Sequence, residues 1–346
     1  MKVGILGGGN ISDTHARAAL GIPGVEIAAV CGANRQKAER LAQAYGGVVY
    51  DDIERFLEHR PLDIVAIGSP SGLHADQAIA AIGRGLHVLS EKPLDVTTAK
   101  VDSVIAAADR GGVKVGVFFQ DRLKPDIAAM KAAIASGRLG KPIFAGGHVR
   151  WYRPPEYYGT SRWRGTWALD GGGALINQAI HTVDVLQWLF GPVAQVGART
   201  ATRLHPIEVE DTAAAVLEFA SGALGTIEAA TSAYPGYSRR MELTGSEGTI
   251  VLDGDRLAAV DLRGAGRSGG AGEAGGASGV GTTATASASS PVVADASAHQ
   301  RVFEDFIRAI ATNTPPCCDG RDGRRSVALI EAIYLSSRTH QDVELT

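Results

Sequence analysis

Short apolar runs alternate with helical patterns through the first third of the chain. KVGIL (2–6), VEIAAVC (25–31), DIVAIG (63–68), HVLSE (87–91) and VKVGVFF (113–119) are near-continuous apolar segments of strand length. Between them lie periodic stretches: one ending at Leu20, then RQKAERLAQAY, then Leu73 to Arg84 and Thr97 to Arg110. Strands apolar on both faces, each followed by a helix, predict a parallel sheet covered on both sides, a doubly wound α/β Rossmann domain over residues 1–121.

The rhythm changes after Gln120. Residues 122–136 read as a helix, 142–150 as a strand and 174–190 as one long apolar helix. Strand-like runs then follow without helices between them, at 193–202, 211–219, 223–232, 239–245 and 248–253. This predicts an α+β domain over 122–346, built on a largely antiparallel open sheet. Helical patterns at 297–313 and 322–338 end the chain, the last a candidate to pack back on the first domain. Residues 264–290 contain no aromatic side chain. They bury too little to offset their ordering entropy, and 264–296 is read as a flexible low-complexity insert.

Composition narrows the classes. A chain of 346 residues exceeds the roughly 250–300 that one core sustains, in keeping with two domains. Thirty-four basic against 37 acidic residues give a net charge of −3, which removes the polyanion attraction a nucleic-acid partner needs. Cys31, Cys317 and Cys318 form neither a disulfide framework nor a spaced metal site, and the nine histidines are scattered without ligand spacing, so no metal is expected. The opening MKVGILGGGN has no long apolar region or small-residue cleavage site, and no segment approaches a membrane span. A cytoplasmic protein is expected.

GILGGGNIS places Gly7, Gly9 and Ser12 at the positions of a G-x-G-x-x-G/A dinucleotide fingerprint, between a strand and a helix. Gly7 allows the tight turn. Gly9 lets a pyrophosphate approach the helix N-terminus, at the amides of Asn10 and Ile11. After the second strand, where ribose recognition usually places a carboxylate, stand Gly32, Asn34 and Arg35. With no acid to bond a 2′-hydroxyl and an arginine to pair a 2′-phosphate, the position tilts the expected cofactor from NAD toward NADP, with dual use open. The alternative for Arg35 is a solvated residue at a helix start.

The glycine turn, SPSGLH (69–74), EKP (91–93), GGGALINQAIH (171–181) and DGRDGRRSVALIEAIYLSSR (319–338) follow one another in an order that resembles the Gfo/Idh/MocA family of NAD(P)-dependent oxidoreductases. That family includes glucose–fructose oxidoreductase and inositol dehydrogenase. The resemblance spans the chain apart from the insert. It implies redox chemistry at an alcohol carbon of a sugar, cyclic polyol or sugar derivative, and a C-terminal sheet that packs between subunits of a homo-oligomer. It puts Lys92 at the family's active-site lysine and His181 at its catalytic histidine. It sets Ser69, Pro70 and His74 beside the nicotinamide half of the cofactor, and Glu91, Lys92 and Gln120 count with the cofactor residues. The family commonly carries aspartate four residues before the histidine; this chain has Asn177.

The residues suit that chemistry. Oxidising a hydroxyl-bearing carbon needs a base for the hydroxyl proton and a group to stabilise the oxygen as charge develops. Histidine titrates near neutrality, and on an α-helix Asn177 and His181 share a face at i, i+4, with Asp184 one turn further as an orienting or merely structural neighbour. An amide cannot take a proton but can hold a substrate hydroxyl. Lys92 polarises the oxygen as a cation, or acts as an amine if desolvated.

The segment at 150–170 holds three of the four tryptophans with Arg150, Arg153, Arg162 and Arg164. Aromatic faces and arginine forks suit a sugar ring and its oxygens, and equally a subunit interface. The candidate substrate residues are Arg122, Arg150, Tyr152, Trp163, Arg164, Trp167, Asn177 and His181, with an anionic sugar compatible with the arginines. Two other functions stay open: a catalytically silent dinucleotide or sugar sensor, and an imine or carbonyl reductase.

Overall fold

The apolar runs of the first third become β1 (Lys2–Leu6), β2 (Glu26–Cys31), β4 (Ile64–Ile67), β5 (His87–Ser90) and β6 (Val115–Val117) in a computed structural model that describes residues 1–159, 161, 163–264 and 295–345. A short edge strand, β3 (Val48–Tyr50), joins them; three partly exposed residues carry too little pattern to be read from sequence. The six strands are parallel, in the order β3-β2-β1-β4-β5-β6. Every residue of β4 is buried, as a strand covered on both faces requires. Helices α1 (Asn10–Leu20), α2 (Arg35–Tyr45), α3 (Ile53–Leu57), α4 (His74–Ile82) and α5 (Thr98–Gly111) connect them. The order reverses between β1 and β4, the switch point outside whose carboxyl ends such sheets bind ligands.

Two compact units divide the chain, and the first is not continuous in sequence. It comprises 1–123, 168–171 and 292–327. Its later part carries α9 (Ser297–Thr312), whose Val302, Phe303 and Phe306 join Ala16, Ala18 and Ala19 of α1 in one core. Burying each large side chain in such a core stabilises by about 1.5–3 kcal/mol. The periodicity of α9 shows that it has an apolar face but not which domain receives it.

The second unit comprises 124–167, 172–291 and 328–346. It opens with α6 (Pro125–Ala135) and β7 (Pro142–Arg150), then α7 (Glu156–Gly159) and α8 (Ile180–Phe190). Its sheet adds β8 (Val193–Ala201), β9 (Thr212–Phe219), β10 (Leu224–Ala230), β11 (Arg240–Gly245), β12 (Gly248–Asp253), β13 (Arg256–Leu262) and β14 (Val343–Glu344). The order is β13-β12-β11-β7-β10-β9-β8-β14, antiparallel throughout except between β7 and β10. In β9 buried and exposed residues alternate strictly, so one face lies on the core. That core receives α8: a Cβ on Gly147 of β7 would lie 2.9 Å from Thr182 Cγ2, so only glycine lets the helix come this close. The last helix, α10 (Gly320–Thr339), belongs to the first unit as far as Val327 and to the second from Ala328. Of the expected 264–296 insert, residues 265–294 lie outside the described residues.

Candidate active site

The turn after β1 has the form a dinucleotide needs. Gly7 adopts φ +139° and donates its amide to the Cys31 carbonyl at 2.7 Å. A Cβ there would meet the Gly68 carbonyl oxygen at 2.7 Å, so the turn admits glycine alone. Gly9 caps α1, and a Cβ built on it meets nothing within 4 Å. The α1 N-terminus, with Gly9 and Asn10 exposed and Ile11 following, is thus open to an anion, and a pyrophosphate fits it. Ser12, in place of the third glycine, is buried at the helix–strand contact. Asn34 caps α2, its side chain accepting from the Lys37 amide at 3.0 Å. Arg35 is exposed and ion-paired with Glu39 at 2.9 Å and Asp51 at 3.2 Å. Gln120 starts the turn after β6, its Oε1 buried with no partner among the described residues.

Lys92 follows β5, half-buried, on a cis peptide to Pro93. The turn is tied down from two sides. The His74 ring bridges the Pro93 carbonyl at 2.7 Å and the Ser69 carbonyl at 2.9 Å, and Ser69 Oγ donates to Gln77 at 2.6 Å. His74 is buried with both nitrogens engaged, so its visible role is to hold the SPSGLH loop, Pro70 included, against the EKP turn. Glu91 faces the core, where His15 Nε2 lies 3.0 Å and His299 Nε2 3.7 Å from its Oε1. Burial opposes its ionisation, but hydrogen bonds from His15 and His299 outweigh burial and hold the carboxyl well below its usual range. Burial in turn lowers the His15 pKa and keeps that ring neutral. The ligand atoms of these three residues lie within 4.8 Å of one another, although sequence spacing had separated the histidines. The contacts are those of one carboxylate shared by two imidazoles.

The second glycine run answers to packing. A Cβ on Gly171 would lie 2.4 Å from Val96 Cβ, on Gly172 2.0 Å from the Tyr334 hydroxyl, and on Gly173 1.8 Å from the Glu210 carbonyl oxygen. The helix that follows is not α-helical from its start. Ala174–Ala179 form a π-helical turn that holds Asn177, and α8 begins only at Ile180, just before His181. Such turns recur at functional sites.

Burial singles out three polar residues of this segment. Between Gly171 and Leu186 every residue is buried except Asn177, Gln178 and His181, and Asp184 lies inside. Around them stands a polar and aromatic wall. Gln178 Nε2 donates to Asn177 Oδ1 at 2.8 Å and to the Tyr157 hydroxyl at 2.9 Å, while Arg153 Nη2 donates to Gln178 Oε1 at 2.7 Å. The Arg153 guanidinium lies 5.1 Å from the Trp151 ring, and that of Arg164 lies 4.4 Å from Tyr157 and 5.2 Å from Trp163. Arg164 Nε has no hydrogen-bond partner among the described residues.

Other expected substrate residues are drawn elsewhere. Arg122 is buried, its Nη1 donating to the Cys317 carbonyl at 3.1 Å and paired with Asp322 at 3.2 Å. Arg150 pairs with Glu228 on the neighbouring strand at 2.7 Å. Tyr152 bridges to Ser232 and stacks edge-on with Tyr234, and Trp167 packs edge-on against Tyr334. An arginine in sequence does not reveal whether a carboxylate of its own fold will claim it. Tyr157, Gln178 and Glu210 were not singled out. Gln178 carried a signal, a second polar residue breaking an apolar run, whereas Tyr157 and Glu210 gain their meaning from residues far along the chain.

Comparison with known proteins agrees with this geometry. Residues 1–119 match the oxidoreductase family NAD-binding Rossmann fold, and residues 127–251 match the GFO/IDH/MocA C-terminal domain. The chain belongs to the Gfo/Idh/MocA family of oxidoreductases. Its relatives in that family include inositol 2-dehydrogenase 2 of Saccharopolyspora erythraea, 31% identical over 73% of each chain. D-apiose dehydrogenase of Paraburkholderia graminis is 27% identical over 99% of this chain and 89% of its own. Among solved structures, the WlbA dehydrogenase from Bordetella pertussis in complex with NADH and UDP-GlcNAcA superposes with TM-score 0.88 and 31% identity, covering 100% of this chain and 98% of that one. As in other members of the Gfo/Idh/MocA family, a Rossmann sheet precedes a largely antiparallel one. Among the described residues, no helix is long and apolar enough to cross a membrane.

Proposed function

We propose that this member of the Gfo/Idh/MocA family is an NAD(H)-dependent dehydrogenase or reductase acting on a secondary alcohol or ketone of a carbohydrate-like substrate. The observation that carries the reading is the half-buried polar trio Asn177, Gln178 and His181 on an otherwise buried segment, bordered by Tyr157, Arg153 and Arg164. Gly7, Gly9 and the first amides of α1 hold the pyrophosphate, and a bound nicotinamide supplies the hydride acceptor or donor. His181 exchanges the hydroxyl proton, Asn177 holds a substrate hydroxyl through its amide, and Lys92 stabilises the reacting oxygen.

Two finer readings follow. The Arg164 guanidinium, stacked on Tyr157 and Trp163, is suited to a carboxylate or phosphate on the sugar, such as a uronate or nucleotide sugar, and WlbA with UDP-GlcNAcA is a relative of that kind. At the adenosine ribose, the tilt toward NADP rests on Arg35. Glu39 and Asp51 already occupy it and would oppose a 2′-phosphate, so NAD(H) is the better fit.

Phe144, Val216 and Leu224 line one face of β7, β9 and β10 with 43%, 61% and 51% of their surface exposed, a face suited to a second copy of the chain. The unbridged cysteines fit a cytoplasmic setting.

The test is NAD+ and NADP+ reduction across sugars, inositols and uronates, followed by His181→Ala and Lys92→Ala. Each substitution should lower kcat by about 100-fold or more while cofactor still binds. Cofactor and sugar binding without any turnover in the wild type would favour a sensor instead.

A further inference from the structure

Glu210 alone accepts three successive amides at the start of the segment that carries Asn177 and His181. Its Oε2 takes the Gly173 amide at 3.0 Å and its Oε1 the Leu175 amide at 2.9 Å, while its backbone carbonyl takes Ala174 at 3.0 Å. The Tyr334 hydroxyl of α10 donates to Oε1 at 3.0 Å. Helix starts usually satisfy such amides with the cap's own side chain or with water. Here the cap is Gly173, which has no side chain, and the acceptor arrives from 37 residues further along the chain.

A carboxyl that is 3% exposed is a costly cap. Burial pushes it up to about 7, against the pull of the Leu175 and Gly173 amides and Tyr334. What this cap adds over a serine or aspartate at the N-cap is a fixed register. A π turn has no rigid geometry of its own, and Asn177 sits inside it. The turn is clamped from the strand side by Glu210 and closed by Tyr334, and Gly172 and Gly173 leave those two residues the space to approach.

We propose that Glu210 is a positioning residue of the reaction: by holding the amides of 173–175 it sets the place of the Asn177 amide and the entry of the helix bearing His181. The proposal rests on the roles given above to Asn177 and His181, so its test carries one readout that does not depend on turnover.

The experiment uses the full chain and three variants. Glu210→Gln keeps the volume but turns an amide acceptor into a donor, Glu210→Asp keeps the charge one methylene short, and Tyr334→Phe leaves the carboxyl and removes its closing hydroxyl. Amide hydrogen exchange over 172–182 is measured beside kcat, KM, NADH affinity and the pH profile of kcat, with the carbohydrate that turns over fastest. For Glu210→Gln, kcat falls about 100-fold with NADH affinity nearly unchanged, because misplacement by an ångström is enough for such a loss. Exchange over 173–177 rises about tenfold or more, while the 98–111 helix exchanges as in the wild type. Glu210→Asp recovers part of the loss, and Tyr334→Phe shifts the pH profile.

Faster exchange with unchanged kcat would make Glu210 a structural cap and overturn the proposal. Unchanged exchange and unchanged kcat would overturn the anchoring itself. An inactive wild type would instead remove the reaction, and the positioning role with it, while exchange still reported on the anchor. Should Glu210→Gln not fold, Tyr334→Phe decides, an unaltered kcat profile counting against the proposal.

Discussion

The chain sets three glycines before a helix twice, at Gly7–Gly9 and at Gly171–Gly173. In the first run the last glycine faces open space, and a Cβ there touches nothing within 4 Å. In the second, a Cβ at any of the three would fall within 2.4 Å of another atom of the fold. The two runs look alike in sequence because glycine serves two purposes: it leaves room for a ligand, or it lets another part of the protein come close. Each purpose has its own signature under substitution.

Gly173→Ala tests the contrast most severely. Its Cβ would sit 1.8 Å from a backbone oxygen, and backbone cannot swing aside as a side chain can. A loss of at least about 4 kcal/mol in unfolding free energy, or failure to accumulate folded, is expected in denaturant titration. Near-native stability would mean that this run is as open as the first.

Glu210→Gln comes next, read through pH. The folded carboxyl sits near 7, above its ordinary 4.5, so its contribution is full below about 4.5 and is lost as pH rises through 7. The wild type should therefore lose up to about 3 kcal/mol relative to the Gln variant between pH about 4.5 and 8, measured by urea unfolding. A wild type that instead gains stability on the Gln variant as pH rises would reverse the sign and place an ionised, stabilised carboxylate there.

Gly9→Ala makes the opposite statement from Gly173→Ala. With space for the methyl and φ −90° allowed to alanine, Tm should hold while NADH affinity drops about tenfold, about 1.4 kcal/mol, in a calorimetric titration. Lost stability with unchanged affinity would make the first run structural too. The smallest effect is that of Arg35→Ala. Its ion pairs are exposed and screened by solvent, so neither the unfolding midpoint nor kcat/KM with NAD+ should change measurably. A collapse of activity confined to NADP+ would restore Arg35 as a 2′-phosphate ligand.

Much of the fold was legible because it is written locally. The five apolar runs of the Rossmann sheet need only their own composition to declare themselves, and the Gly7 turn needs only the strand before and the helix after it. In the second unit the strand-like run at 211–219 was enough to mark β9 as a strand. The strands β3, β13 and β14 escaped because short or partly exposed strands carry little pattern. The candidate site was legible in part: His181 and Asn177 are half-buried breaks in an otherwise buried segment, but Arg122 and Arg150 were claimed by Asp322 and Glu228.

The sequence by itself therefore determined most of the elements, their order along the chain, and the residue types on hand at Gly7, Lys92 and His181. Tertiary structure alone decided which side chains share a carboxylate and which glycines face open space. It brought His15, Glu91 and His299 together, gave α9 to the first unit, and set Glu210 on the amides of 173–175. The physical reason is range. Periodicity and turn chemistry act between near neighbours, whereas a buried carboxyl or a missing Cβ takes its meaning from atoms that only the folded chain brings within 3 Å or so.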